Sequence, residues 1–248
     1  MKRLSVISIT YNNYRGLRKT LEVFNENNWG ERVEIVIVDG GSKDETPDFL
    51  KTQTLTANWV SEKDKGIYDA MNKGLSMATG DYVWFLNSGD YAPNASVIHL
   101  ILNNIEKKPD ALYGETLLVN ENGELIGSRS EQTTRTMPPL LNWRSFSRGM
   151  TVGHQAFIIR RSLALPYDLQ YKHVADIDWM IRCLKQCDTV VNLIQPIVCF
   201  TLDGHSTKHR KASNRERYRV LKKHYGFFNN LMSHLLIVIR HVFKRPAV

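Results

Sequence analysis

The sequence predicts an α/β fold in which a doubly wound, mostly parallel central sheet carries flanking helices and is followed by a basic helical C-terminal tail. Three observations predict it. Apolar runs of strand character alternate with helical apolar periods from residue 3 to residue 86, in a βαβαβαβ rhythm. The runs at residues 33–38 and 82–86 are rich in β-branched or aromatic residues, as in central parallel strands covered on both faces. Three of the strands end in polar turns, the place where open α/β sheets bind their ligands.

Each element has its own signal. Residues 3–10 alternate as a strand, and Leu17, Leu21 and Phe24 place a helix over 16–25. The strand at 33–38 opens into Asp39-Gly40-Gly41-Ser42, and a short helix follows over 42–50 with Asp44 or Thr46 at its cap and Pro47 in its first turn. Residues 58–61 read as a third strand. Ile67, Ala70, Met71, Leu75 and Ala78 recur at helical spacing up to Gly80, before the strand at 82–86. Beyond it, a helix is expected over 95–105 and two short strands, 111–113 and 116–119, on either side of Gly114. A turn at Asn120-Glu121-Asn122-Gly123 leads into a hairpin strand at 124–127. Residues 128–150, with Pro138-Pro139 and many Arg, Ser and Thr, read as a long loop. A strand over 155–159, a helix over 176–187, a strand over 189–194 and a mostly helical tail from Ser213 complete the pattern.

Composition excludes several classes. An apolar content of 42% with 23% charged residues is ordinary globular usage, which argues against a disordered or fibrous chain. Three cysteines, Cys183, Cys187 and Cys199, lack the paired spacing of a zinc site and are too few for a disulfide framework, so a reducing compartment is expected. The N-terminal residues run straight into a strand pattern and are not read as a signal segment. No apolar run reaches the roughly 18–20 residues that span a bilayer. The net charge of +8 is uneven: residues 204–248 hold 11 Lys and Arg against one acid, Glu216, whereas residues 1–203 hold 22 against 24 acids. The division expected is therefore a domain over 1–203 and a basic extension over 204–248. Leu231, Leu235, Ile239 and Val242 give that extension an apolar stripe flanked by Arg240, Lys244 and Arg245. Such a helix suits an anionic membrane surface, or else packs on the domain's own core. A nucleic-acid-binding module using the same tail is the competing class, but no RRM, KH or helix-turn-helix signature accompanies it, and no nucleic acid partner is expected.

The strand ends carry the chemistry. Asp39 stands where a buried strand meets a tight glycine turn, within reach of a base or ribose hydroxyl; the alternative is a turn-forming role. Asp90 closes Asn87-Ser88-Gly89-Asp90 after the fourth strand. A lone carboxylate beside a diphosphate suits Mg²⁺ or Mn²⁺, which take few protein ligands and fill their shell with phosphate oxygens and water. Neither GxGxxG after the first strand nor GxxxxGK[ST] anywhere is present, which excludes the common dinucleotide and P-loop cradles.

The segments ISITYNN, VDGGSKDETPDFL, SEKDKGIYDAMNKGLSMATGDYVWFLNSGD, GHQAFIIRRSL and ADIDWMIR, in this order over residues 7–182, resemble the family 2 glycosyltransferases of the GT-A, Rossmann-like fold, and within them the bacterial exopolysaccharide enzymes of the colanic-acid type. The resemblance implies an inverting transfer from a nucleotide-diphosphate sugar, UDP in preference to GDP, to a lipid-linked oligosaccharide on the inner face of the cytoplasmic membrane. It implies Thr10 and Tyr11 at the base pocket, with Asp39 bonded to the base. Glu62, Asp64 and Lys65 would face the nucleotide sugar, with Asp69, Asn72 and Lys73 one turn further on, although Lys65 and Lys73 read equally as surface charge. Ser88 and Gly89 would belong to the nucleotide site and Asp90 to the metal, with His205 as a late metal or diphosphate ligand. Here the family's Asp-x-Asp is reduced to its final acid, and a catalytically impaired nucleotide-sugar binder is the alternative reading. His154 and Gln155 would lie on the acceptor side, although a structural histidine explains His154 as well. Asp176 would be the general base and Asp178 its acceptor-side neighbour. Taken alone, both acids are also explained as charge favoured at a helix N-terminus.

Overall fold

The structure, a computed structural model, describes residues 3–25, 29–53, 58–133, 135–202 and 210–227. Its first half is a run of strand–helix units: β1 (Leu4–Thr10), α1 (Tyr14–Asn25), β2 (Val33–Asp39), α2 (Thr46–Thr52), β3 (Asn58–Ser61), α3 (Ile67–Met77), β4 (Tyr82–Phe85) and α4 (Ala95–Ile105). The four strands are parallel and lie in the order β3-β2-β1-β4. The chain therefore reverses direction across the sheet at β1, and the carboxyl ends of β1, β2 and β4 meet at that switch point, where such sheets form a crevice.

Burial explains why these segments became strands and helices. Every residue of β1 is buried, and α1 turns Leu17, Thr20, Leu21 and Phe24 inward at helical spacing. Polar groups caught in this layer are paired. Glu34, buried within β2, accepts hydrogen bonds from Ser5 Oγ (2.6 Å), Thr79 N (2.7 Å) and Thr79 Oγ1 (2.9 Å). The α3 helix approaches β1 closely at Gly74, where a Cβ would stand 2.5 Å from Ile7 Cγ2.

The second half makes the sheet mixed. It comprises β5 (Ala111–Val119), β6 (Leu125–Ser128), α5 (Arg129–Gln132), β7 (Phe157–Arg160), α6 (Ala175–Leu184), β8 (Val190–Thr201) and α7 (Arg210–Tyr225). β7 inserts antiparallel between β4 and the first residues of β5, β6 pairs antiparallel with the last residues of β5, and β8 runs parallel along the opposite edge of β5.

Most expected elements are present, with four differences. α2 begins at Thr46, because Ser42 and Asp44 are engaged in the turn ahead of it. The two short strands around Gly114 are one strand; a Cβ there would stand 2.7 Å from Gln195 O, so the glycine lets β8 run alongside. β8 continues to Thr201, past the expected end at Ile194, where a φ of +61° bends it. The expected loop over 128–150 is partly helical, with α5 held by a reciprocal cap between Ser128 and Glu131 and a 3₁₀ helix over Trp143–Arg148.

The beginning of the basic extension is docked on the domain. Val220 and Leu221 of α7 are fully buried, Tyr225 stacks on Trp143 at 5.7 Å, and Glu216 accepts from the backbone N–H groups of Lys172 (3.1 Å) and His173 (2.8 Å). The apolar stripe at Leu231, Leu235, Ile239 and Val242 lies outside the described residues. No helix among the described residues is long and apolar enough to cross a membrane.

Candidate active site

A cavity of about 490 Å³ opens at the strand ends. Of the residues expected at a nucleotide site, Thr10, Tyr11, Asp64 and Ser88 line it, together with Asn13, Gly40, Lys63 and Asn87. The walls are laced to one another. Asn12 N donates to Ser42 Oγ (2.7 Å), Lys43 N to Asn12 Oδ1 (2.8 Å) and Tyr14 N to Asp44 Oδ2 (3.0 Å), which fixes the β1 turn against the β2 turn. Asn13 Nδ2 donates to Ser88 O (3.2 Å) and Ser88 Oγ to Asn13 O (3.0 Å), which fixes it against the turn after β4. Tyr11 is 62% exposed, so its ring is available as a flat apolar wall.

Asp39, next to the lining residue Gly40, does not itself line this cavity. Its carboxylate accepts from Ser42 N (3.1 Å), Ser42 Oγ (2.5 Å) and Ser61 Oγ (2.6 Å), and the residue is fully buried, which makes it the tie between the ends of β2 and β3. The carboxylate that reaches the cavity is that of Asp64. Its Oδ1 accepts from Gly66 N (2.8 Å), and its Oδ2 lies so near Gly40 that a Cβ there would stand 2.5 Å away. Glu62 is exposed and paired with Lys73 (2.7 Å), which raises the Lys73 ammonium's pKa. Lys65 is exposed, and its backbone N–H donates to Asp69 Oδ2 (3.0 Å). Asn72 is drawn away to Tyr167, whose N–H donates to Asn72 Oδ1 (2.7 Å).

The turn after β4 presents Gly89 at φ +103°, a conformation that favours glycine, and brings in Asp90 as a buried carboxylate. Asp90 Oδ2 accepts from Gln155 Nε2 (3.0 Å), so two residues picked from separate motifs meet here. Close by in the chain, the buried Asn87 Oδ1 has no hydrogen-bond partner. A carboxylate and an unsatisfied amide oxygen are hard donors of the kind Mg²⁺ and Mn²⁺ accept. Among the described residues no group of three or more His, Cys, Asp or Glu forms a metal cluster. His205 lies outside the described residues.

Asp176 stands at the N-terminus of α6. Its Oδ1 accepts from Tyr68 OH (3.2 Å) and from Ile177 N (2.9 Å). Burial pushes its carboxyl above the usual carboxylate range, while those two hydrogen bonds and the charge of Arg217 hold the rise back. Tyr68 follows Ile67, which lines the cavity, so α3 joins the cavity to this carboxylate. The other acid of the pair is placed elsewhere. Asp178 is fully buried against Arg182 Nε (2.5 Å), His224 Nε2 (2.8 Å) and Lys223 Nζ (3.1 Å), and these partners hold its pKa well below the usual range despite the burial. It anchors α7 to α6.

His154 is turned into the core. Its Nε2 bonds Tyr167 OH (2.5 Å), its ring packs among Phe85, Tyr167 and Trp179, and desolvation pushes its pKa down to about 3. It is a neutral, structural side chain at ordinary pH.

The comparisons agree with this architecture. The S. aureus TarS fragment solved in complex with UDP-GlcNAc superimposes with a TM-score of 0.68 at 18% identity, over 88% of this chain and 64% of that one. A mannosyltransferase from Pyrobaculum calidifontis, solved with GDP-Man and Mn²⁺, superimposes with a TM-score of 0.60 at 16% identity, over 99% of this chain and 66% of that one. The fold is thus of the GT-A type. Residues 5–165 match the family described as glycosyl transferase family 2, and an uncharacterized glycosyltransferase of Mycobacterium tuberculosis is 31% identical over 93% of this chain and 88% of its own length. The chain belongs to glycosyl transferase family 2. A Mycobacterium bovis relative named PGL/p-HBAD biosynthesis glycosyltransferase is 32% identical over 66% of this chain and 63% of its own.

Proposed function

We propose that the chain is an inverting hexosyltransferase that moves a sugar from a UDP-sugar, in preference to a GDP-sugar, to a lipid-linked saccharide acceptor in exopolysaccharide assembly at the inner face of the cytoplasmic membrane. The observation that carries this reading is the Tyr68–Asp176 pair, a base-type carboxylate connected through α3 to a nucleotide-sized cavity. In this reading the nucleotide base stacks on Tyr11 and its polar edge meets Asp64, while Asp39 ties the ends of β2 and β3 together. Asp176 accepts the acceptor hydroxyl's proton as that oxygen attacks C1 of the sugar, and the nucleoside diphosphate leaves from the opposite face. Desolvation raises the basicity of the Asp176 carboxylate, which favours its accepting a proton.

A divalent cation fits the residues present: Asp90 and Asn87 would hold it, and it would neutralise charge developing on the departing diphosphate. Gln155 orients Asp90 through its amide.

The test is thermal denaturation of the full chain with UDP, GDP, UDP-sugars and GDP-mannose, with and without Mn²⁺, followed by sugar transfer by wild type and Asp176→Asn. UDP at about 100 times its Kd stabilises a single-site protein by about 2.7 kcal/mol. Asp176→Asn is expected to keep UDP binding and to lose about 10²–10⁴-fold in transfer rate. A chain that no nucleotide stabilises would refute the reading.

A further inference from the structure

Two arginines near Asp176 are left with unused donors. Arg129, the first residue of α5, donates through Nη2 to Met150 O (3.0 Å), but its Nε is buried with no hydrogen-bond partner. Arg217 of α7 likewise has a buried Nε with no partner. Neither guanidinium has a carboxylate within ion-pair distance among the described residues. Glu115, the nearest acid to Arg129 in charge, is committed through Oε1 to Thr116 N (2.8 Å) and through Oε2 to Ser130 Oγ. The adjoining segments add two more orphaned groups: Thr116 Oγ1, next to Glu115, and Thr151 Oγ1, next to Met150. Buried polar atoms are nearly always paired, so four of them on connected segments mark a place where something else binds.

The charges converge on one carboxylate. Desolvation lowers the Arg129 pKa, with Glu115 and Asp176 opposing the fall and Arg217 adding to it, and Arg217 in turn lowers that of Asp176. Arg129, Arg217 and Asp176, from α5, α7 and α6, thus act on one another electrostatically. Neither arginine is among the residues lining the nucleotide cavity. We propose that Arg129 and Arg217 form an oxyanion subsite that holds a phosphate or carboxylate carried by the acceptor. The inference rests on Asp176 being the base of the proposed transfer.

The chemistry explains why cations are needed. A negatively charged acceptor approaching Asp176 meets like charge, and two guanidiniums, each a planar fork of donors, cancel that repulsion and orient the oxyanion. A neutral acceptor would leave those donors buried and unmatched, so the subsite also selects.

The experiment uses the full chain saturated with UDP and Mn²⁺, so that the diphosphate position is already filled. Inorganic phosphate, methyl glucuronide and methyl glucoside are titrated by calorimetry into wild type, Arg129→Met, Arg217→Met and Arg129→Lys, each checked for native circular dichroism. The expected result is binding of phosphate or glucuronide, weakened at least tenfold by either Met substitution and partly restored in Arg129→Lys, with UDP affinity unchanged and no binding of the glucoside. Preference for phosphate assigns a phosphate-bearing acceptor, and preference for glucuronide a uronic acid. Oxyanion binding that ignores the substitutions overturns the subsite, as does a parallel loss of UDP affinity, which would assign the arginines to the donor. Wild type that fails to bind UDP refutes the donor reading by itself, a readout separate from the oxyanion titration.

Discussion

Asp178 of α6 and His224 of α7 meet at 2.8 Å, side chain to side chain, 46 residues apart in the chain. This contact and its neighbours with Arg182 and Lys223 make a buried acid the fastening of the C-terminal helix.

Asp178→Ala should therefore cost about 3–5 kcal/mol, the usual penalty for removing one partner of a buried charged pair. Its folded pKa is depressed, so the contribution is complete above the unfolded value near 4 and is lost as pH falls below it. Urea unfolding of both proteins at pH 7 and pH 3 checks this, with a difference expected to shrink at the lower pH.

His154 gives an opposite chemistry with the same direction. Its folded pKa of about 3 lies below the unfolded imidazole's, so the unfolded chain takes up the proton first and stability falls as pH drops below about 6.5. One such group accounts for a loss of about 2 kcal/mol between pH 7 and pH 5. His154→Phe should be less stable at pH 7, because Tyr167 OH loses its partner, yet should lack this part of the pH slope when denaturation midpoints are compared.

Asp90→Asn should leave the fold intact and keep its bond to Gln155, while the Mn²⁺-dependent part of UDP stabilisation disappears. Thermal shifts with and without Mn²⁺ measure it, and an unchanged metal effect would remove Asp90 from the cation's ligands.

Membrane attachment through the extension is tested by cosedimentation with anionic vesicles of the full chain and a chain ending at residue 227. A cut at 213 would remove the buried Val220 and Leu221 and confound binding with unfolding. Pelleting of the full chain that raised salt diminishes, and its loss in the shorter protein, is the expected outcome.

Much of the fold was legible because local signals agreed with it. The first four strands and α4 announced themselves by period, and Gly40, Gly89 and the polar strand ends marked the crevice. The second half was harder to read because its strands pair out of chain order: β7 enters between β4 and β5, and no local pattern encodes that insertion. Within the site, the sequence points to both Asp39 and Asp64 for donor binding, and only the tertiary approach of Ser42 and Ser61 shows which carboxylate is tied up by its neighbours. Arg129 fell within the expected loop over 128–150, and neither Tyr68 nor Arg217 carried a signal of its own. Tyr68 meets Asp176 across 108 residues, and Arg129 and Arg217 act on that same carboxylate from other elements, beyond what spacing along a chain can express.

The end of β8 returns to the turn that carries Asp90. Thr201 Oγ1 donates to Gly89 O (2.8 Å) across 112 residues, and Tyr91 and Cys199 exchange backbone hydrogen bonds beside it. During synthesis, β1 to β4 can assemble while the rest of the chain is still being made, because their pairings are short-range by comparison. The Asp90 turn gains its last fastenings only after residue 201 has emerged. On the proposed function, a ribosome-bound chain would have the walls of its crevice before the Asp90 turn is fastened, and competence for transfer would arrive late, with the final strand.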